Sequence, residues 1–180
     1  MKEMTSYYKR LMNIMYIAGG FTLILGISAV YLYQRATPQI LFSEHYHPYK
    51  LHILRGASDN NSVKDAYAYG NMDSVIAHFS ASRTPVPEDY LLAGIAFLEK
   101  NQPAKAIDVF KQLIQKNTDD KSDFFEADAE YYLAMGYLSN QEPDKAMPIF
   151  EKIQSDLENP YNSSVSEWFM LNIRTSIAKK

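Results

Sequence analysis

Residues 91–113, LLAGIAFLEKNQPAKAIDVFKQL, superimpose without a gap on residues 131–153, YYLAMGYLSNQEPDKAMPIFEKI, at an offset of 40. Leu98/Leu138, Pro103/Pro143, Lys105/Lys145, Ala106/Ala146 and Phe110/Phe150 are identical, and Ile95/Met135, Phe97/Tyr137, Val109/Ile149 and Leu113/Ile153 keep their apolar character. Self-similarity at this period is the signature of a stacked repeat. One unit cannot bury its apolar face alone, so copies must pile on one another. Across 104–116, Ala106, Ile107, Val109, Phe110, Leu113 and Ile114 recur with helical spacing. Pro103 and Pro143 each stand at an expected helix start, where a missing N–H costs nothing. Each unit therefore reads as a helix hairpin, and the fold class as all-α. Pro148 falls inside the expected second helix of the later unit. With Asp144 as N-cap, about one intrahelical hydrogen bond is lost and a first-turn kink is expected.

The hairpins resemble the tetratricopeptide repeat (TPR), whose first helix carries a small residue and an aromatic and whose second carries Ala and an aromatic. In the earlier unit Tyr90 takes the place of the consensus Trp, Gly94 is the small residue at the helix crossing, Phe97 the aromatic, and Ala106 and Phe110 the second-helix pair. The later unit offers Ala134, Tyr137, Ala146 and Phe150, with Glu130 at the Trp position. A degenerate copy precedes them: Gly70-Asn71-Met72-Asp73 makes the turn, and Val75 and Phe79 stand for Ala and the aromatic. A last helix from about Ser164 to Ala178, with Trp168 and Leu171, fits a terminal cap. The resemblance spans residues 62–178 and implies an α-solenoid of about three helix hairpins plus a capping helix. Such stacks bind proteins and seldom do chemistry, but the fold by itself does not specify a function.

Ile14–Leu32 reads IMYIAGGFTLILGISAVYL, 19 residues without a charge. As a helix this spans roughly 28 Å, enough to cross a bilayer. Tyr7, Tyr8 and Tyr16 cluster at one end and Tyr31 and Tyr33 at the other, as interfacial aromatics do. A cleaved signal peptide would have a shorter apolar region ending in an A-x-A-like site, and only Ile27-Ser28-Ala29 approaches that. Lys2, Lys9 and Arg10 precede the span and Arg35 follows it, which places the N-terminus in the cytoplasm and the repeats outside. Ala18, Thr22 and Gly26 form a small-residue ridge of the kind that packs a second helix, so homo-oligomer contact through the span is one reading. Small residues are also common in spanning helices generally. The expected organisation is a cytoplasmic tail at 1–10, a transmembrane helix at 11–33, a juxtamembrane leader at 34–61 and the TPR-like domain at 62–180.

Net charge is −3, which leaves no nucleic-acid footprint. There is no Cys, hence no lipoprotein attachment cysteine, disulfide or thiolate metal site. Asn60-Asn61-Ser62 and Asn162-Ser163-Ser164 match a glycosylation acceptor, relevant only in a eukaryotic secretory setting. In the leader, Thr37-Pro38 starts a short helix through Leu41-Phe42 and Pro48 interrupts it. The stretch LFSEHYHPYK, followed by Arg55, resembles the segment preceding the repeats of bacterial single-pass membrane-anchored TPR proteins. His45 and His47, with Glu44 and His52 nearby, form the one cluster that a metal could use. A zinc site needs three or four ligands with supporting contacts, and surface histidines packed on the first hairpin are the plainer reading, so no metal or cofactor is expected. Asp119, Asp120 and Asp123 read as a solvated inter-repeat loop. No nucleophile elbow, phosphate loop or HExxH motif is present, so an enzyme is not expected.

The resemblance implies a concave groove lined by the first helices. Projection from the matched positions places Tyr67, Leu91, Ile95, Leu98, Tyr131, Met135 and Leu138 there, with Lys64, Glu99 and Asp128 near the rim. Such a groove is apolar and aromatic and suits an amphipathic helix or an apolar extended segment of a protein partner. The alternative is that these residues are buried between hairpins or covered by the Trp168 helix. The expected function is a non-catalytic adaptor or scaffold in a bacterial inner membrane, holding a protein partner at the envelope during assembly or folding. Two alternatives are a regulatory protein coupling an external signal to a cytoplasmic partner and an organelle import receptor with a cytosolic TPR. The short N-terminal tail weighs against the first, and the charge flanks weigh against the second.

Overall fold

The computed structural model describes residues 2–51 and 62–179, the side chains of 2–7 and 9 excepted, and these residues are helical without a strand. The chain forms two compact units, Met1–Ala36 and Thr37–Lys180. The first is one helix, α1 (Lys2–Arg35). Its stretch Arg10–Arg35 has a mean hydropathy of 1.8. Every side chain along that stretch is exposed, apolar ones such as Ile14, Ile17 and Leu23 included.

The second unit opens with α2 (Pro38–His45), where Pro38 sits in the first turn and the Thr37 hydroxyl caps the Ile40 N–H at 3.4 Å. The helix starts where the sequence places it but runs on to His45. Three hairpins follow: α3 (Val63–Ala68) with α4 (Met72–Ala81), α5 (Pro87–Glu99) with α6 (Pro103–Asp120), and α7 (Glu126–Ser139) with α8 (Pro143–Ser155). A 3-10 turn at Asn162–Ser164 leads to α9 (Glu167–Ala178). Residues 37–51 of the leader therefore belong to the same compact unit as the repeats.

The same turn closes all three hairpins. The N–H groups of Gly70, Asn101 and Gln141 donate to the carbonyls of Tyr67, Leu98 and Leu138. The next N–H groups, of Asn71, Gln102 and Glu142, donate to Ala66, Phe97 and Tyr137. This is the Schellman pattern, which satisfies the last carbonyls of one helix with a residue in the left-handed region. Gly70, Asn101 and Gln141 have φ of 71°, 54° and 61°. Each following residue is also the N-cap of the second helix, so one turn ends the first helix and starts the next. The degenerate first copy is thus a true hairpin. Its Val75 is fully buried and its Phe79 meets the Tyr90 ring edge-on at 5.1 Å.

Gly94 marks the closest crossing. A Cβ there would fall 2.4 Å from the Phe110 ring, which is itself fully buried. In the third hairpin Ala134 and Phe150 occupy the matching positions and are equally buried. Successive hairpins pack side by side, α6 against α7 and α8 against α9, and bury Leu92, Leu113, Ile153, Phe169 and Ile173 between them.

Two boundaries differ from expectation. Helix α6 runs a turn past Lys116, to Asp120, because Lys116 pairs with Asp120 at 2.8 Å and Gln115 donates to Asp119 at 2.8 Å. The buried Asn117 amide then donates to the Phe124 carbonyl at 2.8 Å and closes a short link in place of a long polar loop. Helix α8 starts at Pro143 with Glu142 as N-cap, not Asp144, since the Schellman turn already fixes Glu142. Pro148 is accommodated within that helix.

Gly94→Ala should cost about 1–3 kcal/mol by overpacking the rigid Phe110 ring. Gln141→Gly should add about 1 kcal/mol by relieving a left-handed non-glycine residue. Thermal unfolding of the chain in detergent micelles checks both signs.

Candidate functional site

The first helices α3, α5 and α7 lie next to one another and bring together the seven residues projected onto the groove. None of them is open to solvent. Leu91, Ile95 and Leu138 are 0% exposed, and Tyr67, the most accessible, is 8% exposed. Of the two readings, an open groove and residues buried or covered, the burial agrees with the second. Apolar groups gathered in a concavity are costly to leave wet, at about 25 cal/mol per Å². The chain's own segment 38–51 meets that demand. Helix α2 packs on α7 and α9, Leu41 is buried, and Phe42, Tyr46, Tyr49 and Leu51 lie against the same core. The Trp168 helix is not the cover. Helix α9 turns Phe169, Met170 and Ile173 inward, while Trp168 and Leu171 are 55% and 50% exposed.

Three tyrosine hydroxyls hold the leader. Tyr131 donates to the His45 carbonyl at 3.2 Å, Tyr132 to the His47 carbonyl at 2.9 Å, and Tyr67 to the Tyr49 carbonyl at 2.8 Å. The first acceptor is the free carbonyl at the C-terminus of α2, and the other two lie at alternate residues of the link that follows. Between them the Tyr46 ring enters the aromatic cluster, stacked on Phe42 at 4.8 Å and edge-on to Tyr132 at 6.1 Å. Its hydroxyl is buried facing Glu99, and burial and that carboxylate raise its pKa. Tyr132 was not among the projected residues. Its only signal in the sequence is its place beside Tyr131.

The cluster extends to the far side of α7. Tyr161 stacks on Tyr131 at 4.1 Å and donates to the Asp128 carboxylate. Burial raises the Asp128 pKa, partly offset by that hydrogen bond. Asp128 is therefore a positioning group for this stack more than a free rim charge. Lys64 pairs with Glu88 at 2.8 Å. The His45 ring lies 4.3 Å from that of Phe169, and burial lowers its pKa. The His47 side chain is exposed, and His52, Arg55, Asn60 and Asn61 lie outside the described residues. No group of three potential metal ligands occurs among the described residues. The Asn162 amide donates to the carbonyls of Ile153 and Gln154, so it serves the α8–α9 connection and is not presented as a glycan acceptor. Near the start of α7 an open depression of about 340 Å³ is lined by Asp123, Glu126, Glu130, Asp156 and Glu158, and Lys152 reaches across it to Glu130 at 2.6 Å.

Tandem helix hairpins with a groove along their first helices define a helical-repeat interaction module. Residues 90–119 match the tetratricopeptide repeat family. They cover α5 from Tyr90 onward and nearly all of α6, and the chain thus carries a tetratricopeptide repeat in an α-solenoid. No curated protein and no solved structure matches the chain.

The groove should unfold in alkali. Burial raises the pKa values of Tyr46, Tyr67, Tyr132 and Tyr161 well above the ordinary value of 10, and pushes that of Tyr131 up to about 12. A folded pKa above the unfolded one gives stability that is complete below about pH 10 and lost as pH rises through the folded value. Each such tyrosine contributes a slope of about 1.4 kcal/mol per pH unit in that window. Phenolate absorbance of the buried tyrosines and loss of helical circular dichroism should therefore rise together as one cooperative step above pH 10.

Proposed function

We propose that this protein is a membrane-anchored adaptor: α1 spans a bacterial inner membrane with the N-terminus in the cytoplasm, and the repeats hold a protein partner on the outer side. The observation that carries this reading is the succession of a long, fully exposed apolar helix and a repeat stack whose established use is protein–protein interaction. A soluble core helix would be buried on at least one face, whereas Arg10–Arg35 offers apolar side chains all round. The basic residues Lys2, Lys9 and Arg10 before the span, against Arg35 after it, support the orientation. The aromatic, apolar chemistry of the groove favours a partner that contributes an apolar extended segment or helix over one that contributes a carboxylate.

Topology is directly testable because the chain has no native cysteine. Leu157 is 87% exposed in the link after α8. Leu157→Cys should react with a membrane-impermeant maleimide in intact spheroplasts, and labelling only after lysis would place the repeats in the cytosol. Cross-linking in the membrane followed by mild-detergent purification should bring down a protein partner. A chain that purifies alone under those conditions is not an adaptor.

A further inference from the structure

We propose that the concave groove is an exchangeable peptide site whose tethered occupant is the chain's own leader, residues 41–51. Its ligand in trans is a segment of a partner protein that is uncharged where it touches the groove and carries an aromatic ring at the place of Tyr46. This deepens the adaptor reading and rests on it.

Three observations lead here. The groove grips main-chain atoms: Tyr131, Tyr132 and Tyr67 donate to the carbonyls of residues 45, 47 and 49. Main-chain carbonyls are common to every peptide, so none of these acceptors is restricted to the leader's own sequence. The side-chain contacts come from Leu41, Phe42, Tyr46, Tyr49 and Leu51, while Glu44, His47 and Lys50 are exposed. A competing segment therefore needs apolar and aromatic groups at the inward positions and is unrestricted elsewhere.

The second observation is the fit of Tyr46. Its ring fills the aromatic cluster, stacked on Phe42 and edge-on to Tyr132, so an aromatic ring is what this part of the groove accepts. The tether makes the leader's binding intramolecular, which is equivalent to a high local concentration.

The third is the contrast in burial. Leu91 through Leu98 of α5 are all buried, whereas Leu41 is the one buried residue of α2. An element held by so few buried contacts opens at lower free energy than the body it lies on.

The test uses the full chain in nanodiscs and two fluorescent peptides, residues 40–51 with the native sequence and the same segment with Tyr46→Phe. Wild type should bind both weakly. A chain with Leu41→Ala and Tyr46→Ala in its own leader should bind the native peptide at least about tenfold more tightly than wild type does, since the tethered competitor is weakened. The Tyr46→Phe peptide keeps the ring and should likewise bind the weakened-leader chain more tightly than it binds wild type. Adding Tyr67→Phe, Tyr131→Phe and Tyr132→Phe, which remove the donors and keep the rings, should reduce binding about tenfold or more. Amide exchange on the unmodified chain gives a reading that no variant can spoil. The α2 amides of residues 42–46 should exchange at denaturant concentrations where α5 and α7 remain protected. Equal peptide affinity for wild type and the weakened-leader chain, no binding to either, or α2 exchange only on global unfolding would each overturn the inference. A chain that exchanges the peptide yet captures no membrane partner retires the adaptor reading alone. A chain that captures a partner while its leader opens only globally retires this inference alone.

Discussion

The central stretches of the first helices α5 and α7 are buried on every side, and covering them governs the whole architecture. Residues Leu91 to Leu98 of α5 are buried without a break, and α7 is buried almost continuously from Ala129 to Leu138. No single neighbour can shield such a helix. Its own second helix takes one side, through the Gly94–Phe110 crossing and its Ala134–Phe150 counterpart. The adjacent hairpins take two more. The remaining side faces the concavity, and only a segment from outside the repeat can close it. The aromatic leader is that segment. The repeat alone would leave an apolar trough of the kind that marks an interaction surface.

The way the leader is held explains how one site can be both packed and specific. Tyrosine joins a large ring to a hydroxyl at its tip, so it lines an apolar wall and still delivers a donor. Tyr67, Tyr131 and Tyr132 use both ends: their rings belong to the core, and their hydroxyls satisfy leader carbonyls that would otherwise be buried unpaired. Tyr161 on the opposite side locks the Tyr131 ring through its stack and its bond to Asp128. The same burial that organises these rings also disfavours their phenolates, and stability is linked to their protonation for that reason.

Much of the scaffold was legible because its determinants are local. Pro103 and Pro143 mark helix starts, Gly70 marks a turn that needs positive φ, and Gly94 and Ala106 mark close contacts by their size. Where reading failed, a longer-range or competing term decided. The end of α6 was set by the pairing of Lys116 with Asp120 and by Asn117 reaching the Phe124 carbonyl, not by the polarity of the stretch. The start of α8 was set by the preceding Schellman turn, which fixed Glu142 before Asp144 could cap. Asn162 matches a sequence motif, but its amide is spent on two carbonyls of α8.

The sequence by itself determined that the chain is a run of amphipathic helix hairpins behind a long apolar helix, and which residues form the first-helix stripe. Those facts are carried by periodicity, by Pro and Gly placement and by hydropathy, all of which are written residue by residue. Only the tertiary structure decided what lies on that stripe. The contacts that seat the leader join residues 86, 85 and 18 positions apart and end on main-chain carbonyls. A carbonyl is the same at every residue, so no side-chain pattern announces that it will be an acceptor. That the Tyr46 ring enters the cluster is likewise a property of the assembled cavity, since the ring is drawn in by area and what stands opposite its hydroxyl is fixed only by the fold.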